Sequence, residues 1–255
     1  MSNRLHRFTL VVFLGVMATF ASAPCYGFRN DFDKSYPLQP GGSFELQNVN
    51  GTVEVQGWEK NEVQIHAVKL AKTDRADLSR VSIQVEAKSD SVSVTTNYPQ
   101  DEGAEVAVDY KILVPHSARV QQIGTINGSI RVSGVDFPGD LRTVNGDVEV
   151  YEGGGAIHAR TTNGNIHLEL ARMEKSDEIA AECTNGGVLL AVPPDAGAQI
   201  VARSLNGDFS SELPLTLESS LRPREIRGKL GAGGGSIHLR TVNGVIRVVL
   251  LRSSV

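Results

Sequence analysis

The stretch that decides the fold is Thr143-Val144-Asn145-Gly146-Asp147-Val148-Glu149-Val150. Its Asn-Gly pair lies between segments in which apolar and polar residues alternate, a pattern that predicts two half-buried strands meeting at a tight corner. The same pair occurs at Asn50-Gly51, Asn127-Gly128, Asn145-Gly146, Asn163-Gly164, Asn185-Gly186, Asn206-Gly207 and Asn243-Gly244. From the second pair onward the spacings are 18, 18, 22, 21 and 37 residues, which indicates a repeat protein.

The flanks of the corners repeat in phase with them. Three residues after each Asn stands an apolar residue: Val53, Ile130, Val148, Ile166, Val188, Phe209 and Ile246. Two residues before the Asn there is usually a small hydroxyl side chain, as at Thr143, Thr161 and Ser204. Cys183 occupies this position before Asn185, so we predict that it is an inward-facing structural residue and not a reactive thiol.

Two all-β architectures fit units of two strands. In a β-solenoid-like stack each unit is one coil, and equivalent Asn side chains of stacked coils can form a hydrogen-bonded ladder. In an antiparallel hairpin meander or sandwich, each Asn-Gly pair is a two-residue turn. We favour the solenoid, because a hairpin would place Arg240 opposite Arg247 and because Asn persists where a hairpin would also accept Asp or Gly. The spacing of 37 residues is close to two units, which predicts a lost corner between Leu213 and Gly235.

The chain divides into three segments by pattern. Residues 1–27 have the order of a cleavable export signal, with a basic start, an apolar run from Phe8 to Phe20 and small residues up to Gly27. An uncleaved N-terminal anchor is the alternative. Residues 28–120 are β-rich but less regular and are predicted to cap the solenoid of residues 121–255, the two together forming one continuous domain. We expect a periplasmic or cell-surface protein without a transmembrane segment once the signal is removed.

Composition and motifs exclude several classes of function. The formal net charge is −4, from 25 basic and 29 acidic residues, which argues against nucleic acid as a partner. No nucleophile elbow, phosphate-binding loop or metal-ligand spacing occurs in the sequence, so it predicts no catalytic residues, no cofactor and no metal ligands.

One charged column recurs on the predicted outer side of the strands. Three residues before the corners stand Arg142, Arg160, Arg203 and Arg240, with Glu182 in the same position. Outward charges on strands serve solubility and protect edges, which is the simpler interpretation. The alternative is a shallow binding surface for an anionic glycan, an envelope surface with its lipid headgroups, or an acidic protein partner.

At two places the sequence resembles a known family. The first is Phe44-x-Leu46-x-Asn48-x-Asn50-Gly51-x-Val53-x-Val55-x-Gly57-Trp58, and the second is the glycine-rich run from Leu230 to Gly235 followed by Thr241-x-Asn243-Gly244. Both are similar to the bacterial putative-adhesin domain family, and the resemblance covers roughly residues 36 to 250. It implies an exported, solenoid-like β fold. The family offers no catalytic residues to carry over and no defined ligand.

Three functions remain open at this stage. The first hypothesis is a non-enzymatic extracytoplasmic binding module, similar to a cell-surface adhesion domain. The second is an envelope scaffold or interaction protein without a ligand of its own. A glycan-active enzyme ranks last, because the carboxylates are scattered along the chain instead of forming a recognisable pair.

The mature protein is predicted to begin at or near Phe28, although Ala21-x-Ala23 offers a second pair of small residues for the cut. Cys25 and Gly27 provide the small side chains that a signal peptidase requires before the cut. N-terminal sequencing of protein exported by a bacterial host should therefore read Phe-Arg-Asn. An intact Met1 species recovered from the membrane fraction would instead support the anchor.

Overall fold

The computed structural model describes residues 27–99, 104–136, 138–218 and 224–252, so the predicted signal, apart from Gly27, lies outside the described residues. These ranges contain one short helix, α1 (Asp77–Arg80), and otherwise strands and loops. The strands are β1 (Phe28–Pro37), β2 (Ser43–Gln47), β3 (Val53–Trp58), β4 (Glu62–Ala71), β5 (Ser82–Ala87), β6 (Ser91–Asn97), β7 (Val106–Pro115), β8 (Arg119–Gly124), β9 (Ile130–Ser133), β10 (Gly139–Arg142), β11 (Val148–Gly153), β12 (Ile157–Asn163), β13 (Ile166–Leu170), β14 (Glu178–Asn185), β15 (Val188–Val192), β16 (Ala198–Asn206), β17 (Phe209–Ser211), β18 (Leu215–Glu218), β19 (Glu225–Leu230), β20 (Gly235–Asn243) and β21 (Ile246–Leu250).

Two large sheets enclose one core. Sheet A has the order β1-β4-β7-β3-β9-β11-β13-β15-β21-β17, and sheet B has the order β18-β19-β16-β20-β14-β12-β10-β8-β2-β6-β5. Along most strands alternate residues point inward, and the inward Val, Ile, Leu and Ala side chains of both sheets form a single buried cluster. Each Asn-Gly corner carries the chain from a strand of sheet B to a strand of sheet A.

Successive coils pair in parallel and in register. Val148 of β11 lies beside Ile130 of β9 on one side and Ile166 of β13 on the other. In sheet B, β10 pairs in parallel with both β8 and β12. A hairpin meander would give antiparallel neighbours at every corner, so the predicted β-solenoid-like stack is confirmed and the meander is excluded.

The order of coils in space differs from their order in the chain. Strands β20 and β21 insert between the coil of β14 and β15 and the coil of β16 and β17. The prediction that a corner was lost between Leu213 and Gly235 is therefore wrong. The described residues of that segment form the antiparallel hairpin β18–β19, which extends sheet B beyond β16.

The N-terminal part also contains coils. Strands β2 and β3 meet at Asn50 and stack in parallel on β8 and β9, and β6 and β7 form the next coil outward. The antiparallel strands β1, β4 and β5 then complete this end of the two sheets. The expected boundary between residues 120 and 121 falls inside β8.

The corner asparagines form one side-chain ladder along the stack. Its order in space is Asn50, Asn127, Asn145, Asn163, Asn185, Asn243 and Asn206. At each step an Nδ2 donates to the Oδ1 of the preceding Asn over 2.7–2.8 Å. At one end of the ladder Arg224 donates to Asn206 Oδ1, and at the other the Tyr98 hydroxyl donates to the Asn50 carbonyl, both over 3.3 Å. The predicted ladder is thus continuous through all seven corners.

A second column of side chains lies just inside the ladder. It consists of the small residues, mostly Thr and Ser, that stand two positions before the corner asparagines from Asn127 onward, and their contacts explain why hydroxyl groups recur there. The buried Oγ1 of Thr143 donates to the Gly128 carbonyl, and that of Thr161 donates to the Gly146 carbonyl, each over 2.8 Å. Each hydroxyl therefore satisfies a glycine carbonyl of the preceding coil. Cys183 stands in this column and is only 4% exposed. Its Sγ lies 2.9 Å from the Gly186 carbonyl oxygen, and burial raises the pKa of its thiol.

Replacing Asn163 by Ala should lower the free energy of unfolding by about 1–3 kcal/mol, because two side-chain hydrogen bonds of the ladder are lost. Asn206→Ala is the matched control, since it breaks only one Asn–Asn bond, at the end of the ladder. Denaturant melts of both variants measure the difference. An Asn163→Ala protein as stable as the wild type would show that the ladder contributes nothing to stability.

Cys183 should react slowly with a thiol reagent in the native state, because its sulfur is buried and the raised pKa keeps it protonated at neutral pH. Thr184→Cys, made together with Cys183→Ser, should react fast, since residue 184 is exposed. Mass spectrometry of labelled peptides reports both rates. Equal rates would mean that the strand register around Asn185 is not the native one.

Candidate binding surface

The predicted arginine column lies on the outer face of sheet B. Reading across the strands, its order is Arg142, Arg160, Glu182, Arg240 and Arg203. Because β20 inserts between β14 and β16, Arg240 and Arg203 are direct neighbours, although 37 residues separate them in the chain. Glu182 consequently divides the column into two pairs of arginines.

The first pair is neutralised by acids. The Arg142 guanidinium donates to the Asp140 carboxylate on its own strand, and this hydrogen bond raises the pKa of Arg142. Arg160 Nη2 lies 2.7 Å from Glu182 Oε2 on the neighbouring strand. Exposed ion pairs of this kind contribute little to stability, but they leave both arginines with less charge to offer a ligand.

The second pair is not neutralised. Arg203 and Arg240 are both exposed, and neither has an ion-pair or hydrogen-bond partner in the part of the chain that the structure describes. Neighbouring strands lie about 4.8 Å apart, so the two side chains leave the sheet close together. Like charges directly opposite each other disfavour strand pairing, and an anion placed between them would remove that repulsion.

The hairpin β18–β19 borders this pair of arginines. Arg203 lies beside Glu225 of β19, but the Glu225 carboxylate binds Arg227 Nε at 2.6 Å. His238 and Arg227 flank Val201 in the row next to the two arginines. We call Arg203 and Arg240 the basic patch, which Arg227, paired with Glu225, and His238 border. The bordering strand β19 was missed in the sequence, because it carries no Asn-Gly corner and its register cannot be derived from the repeat.

The described residues offer no arrangement that supports metal binding. No group of three or more His, Cys, Asp or Glu side chains there is arranged to hold a metal ion. His158 and His238 do lie on the same face, but strand β14 with Ala180 separates them. The described residues also include no helix long and apolar enough to cross a membrane.

The geometry defines the class of protein as a parallel β-solenoid whose coils turn at Asn-Gly corners. The sequence matches the Toastrack DUF4097 family over residues 41–249, and the chain belongs to that family. The family resemblance first indicated by the corner motifs is thereby confirmed. No curated protein matches the sequence.

Solved structures with a similar course of the chain come from several bacteria. A putative cell adhesion protein from Clostridium sporogenes ATCC 15579 has a TM-score of 0.47 and 12% identity, covering 87% of this chain and 100% of its own. A putative adhesin from Bacteroides fragilis NCTC 9343 has a TM-score of 0.36 and 13% identity, covering 87% and 97%. A putative lipid binding protein from Parabacteroides distasonis ATCC 8503 has a TM-score of 0.33 and 11% identity, covering 88% and 97%. At these values none of the functions in their names is transferred to this chain.

Proposed function

We propose that this protein is a non-enzymatic binding module of the bacterial cell envelope that attaches to an anionic polymer through the basic patch. The observation that supports it most directly is the pair Arg203 and Arg240, which lie side by side without counterions among the described residues. The predicted export signal supports a location outside the cytoplasm, in the periplasm or at the cell surface.

The physics of the patch suits a polymer better than a small molecule. Guanidinium groups bind carboxylates and sulfates through two parallel hydrogen bonds, which gives them geometric selectivity as well as charge. The outer face of a sheet is open, so one anion would gain little burial there. A chain of anions can engage both arginines at once, and the local concentration of its second group then strengthens binding.

The rest of the molecule restricts binding to this surface. The whole chain has a formal net charge of −4, so it does not attract polyanions in general. Arg142 and Arg160, in the same column, are occupied by Asp140 and Glu182. A polyanion should therefore bind at the end of sheet B that carries β16, β19 and β20.

Replacing Arg203 and Arg240 together by Gln should weaken binding to dextran sulfate by roughly tenfold at low salt, because two exposed charge contacts of up to about 1 kcal/mol each are lost. The affinity of the wild type should also fall steeply with salt, since exposed charges are screened over about 8 Å at physiological ionic strength. Affinity electrophoresis or titration calorimetry measures both effects.

The matched control is Arg131→Gln with Arg142→Gln, which removes the same charge and leaves Glu182 paired with Arg160. It should bind nearly as the wild type does, because those arginines already have acidic partners. Uncharged dextran should not bind either protein. Equal losses in the two double variants would contradict a local site. If the wild type is retained neither by dextran sulfate nor by phosphatidylglycerol-rich vesicles, the envelope scaffold becomes the better function.

A further inference from the structure

The outer face of sheet A carries one row of side chains that crosses all ten strands. From β1 to β17 the row consists of Asp33, His66, Lys111, Glu54, Arg131, Glu149, His167, Leu189, Arg247 and Ser210. Over most of its length acids and bases stand next to each other. The in-register stacking thus produces a charge ladder on this face, as it produces the Asn ladder at the corners.

Most bases of this row have an acidic partner. His66 lies 2.6 Å from Asp33 on the next strand. Arg131 binds Glu149 at 2.7 Å, and the Lys111 Nζ lies 3.9 Å from Glu54. His167 turns along its own strand to Glu169, with 3.0 Å between Nε2 and Oε1.

Arg247 is the exception. Its neighbours in the row are Leu189 and Ser210, neither of which can carry a negative charge. The side chain is exposed and has no ion-pair or hydrogen-bond partner among the described residues. Leu189 therefore stands where the alternation would require an acid.

A trough runs along the surface at this interruption. Two depressions of about 380 and 680 Å³ adjoin there, and both are lined by His167, Leu189 and Arg247. Their floor consists of Gly187 and the outer side of β15, where Leu189 and Ala191 are apolar. Five residues of strand span about 16 Å, so the trough is longer than one sugar ring or one side chain.

The lining combines three kinds of contact. Leu189 and Ala191 provide an aliphatic floor, and Arg247 provides a charged donor that lacks a counterion. Asn165, Glu149 and Glu169 provide acceptors along the wall formed by β11 and β13. We infer that this trough binds an acidic saccharide, with its carboxylate on Arg247, its hydroxyls on the wall acceptors and an aliphatic face of the ring on Leu189.

The charge balance of the trough favours this ligand over other anions. An anionic membrane or a polysulfate brings many negative charges close together, whereas Arg247 is the one arginine of the lining without an acidic partner among the described residues, since Arg252 lies 3.9 Å from Glu212. A saccharide with one uronic acid ring carries a single carboxylate among several hydroxyl groups, whose hydrogen bonds the lining carboxylates can accept. The trough is independent of the basic patch, because it lies on the opposite sheet.

Titration calorimetry with a neutral oligosaccharide that carries one uronic acid ring tests the inference, with the methyl ester of the same oligosaccharide as the uncharged comparison. The wild type should bind the acid at least about tenfold more tightly than the ester, which corresponds to about 1.4 kcal/mol. Arg247→Gln should remove that preference by deleting the donor. Leu189→Glu should remove it as well, because the new acid completes the alternating row and occupies Arg247.

Two variants serve as controls. Lys111→Gln removes one positive charge from the same row at a site remote from the trough, and Arg203→Gln with Arg240→Gln removes the basic patch. Both should keep the preference for the acid within about twofold, a difference of about 0.4 kcal/mol. Thermal melts establish that each variant is folded. If Leu189→Glu does not fold, Arg247→Gln decides the test, because residue 247 is exposed and its replacement should not disturb the fold.

Three results would overturn the inference. The first is a wild type that binds acid and ester equally or binds neither. The second is a preference that survives Arg247→Gln and disappears with the basic patch, which would leave the proposed function standing. The third is a loss of binding to phosphatidylglycerol-rich vesicles on Arg247→Gln with binding to the oligosaccharide unchanged, which would assign the trough to a lipid surface.

Discussion

The stack depends on how closely the backbone of one corner approaches the next. A Cβ on Gly146 would lie 2.2 Å from the Gly128 carbonyl oxygen, and one on Gly164 would lie 2.0 Å from that of Gly146. No ordinary side chain fits at such distances, so glycine is required by the contact between coils. The same approach brings consecutive asparagines within hydrogen-bonding distance. Sterics at the glycine and the bonds of the Asn ladder therefore select the same register.

That register determines the surface as well as the core. A slip by one residue would turn every inward Val, Ile or Leu toward solvent, so each coil is fixed against its neighbours. Outward residues then align in straight rows across the sheets. The adjacency of Arg203 and Arg240, and the interrupted alternation at Leu189 and Arg247, are both consequences of this alignment. The repeat creates surfaces of charge that no single coil could form.

The sequence was sufficient to predict the structure of a single coil and the role of its corner Asn. The phase of the apolar residues around Asn-Gly gave the two-strand coil, and the persistence of Asn gave the ladder, because both depend on local spacing. The order of the last two coils could not be predicted, since the flanks of Asn206 and Asn243 carry nearly the same pattern and either could stack on Asn185. For that reason the sequence indicated only that the arginines of the column occupy equivalent positions in their coils, whereas the pairing of Arg203 with Arg240, and the position of β19 beside them, required the structure.

The energetics allow these charges to remain unpaired without endangering the fold. An exposed like-charge pair across two strands costs about 0.2–1 kcal/mol, which is small beside the six Asn–Asn bonds and the shared core. Both strands that carry the pair are held by neighbours on each side, so the guanidinium groups start from a rigid base. In the proposed function, binding orders only side chains and not backbone, so less of the interaction energy is lost on association. The stability of the stack is therefore what makes the local electrostatic cost of a few unneutralised charges tolerable.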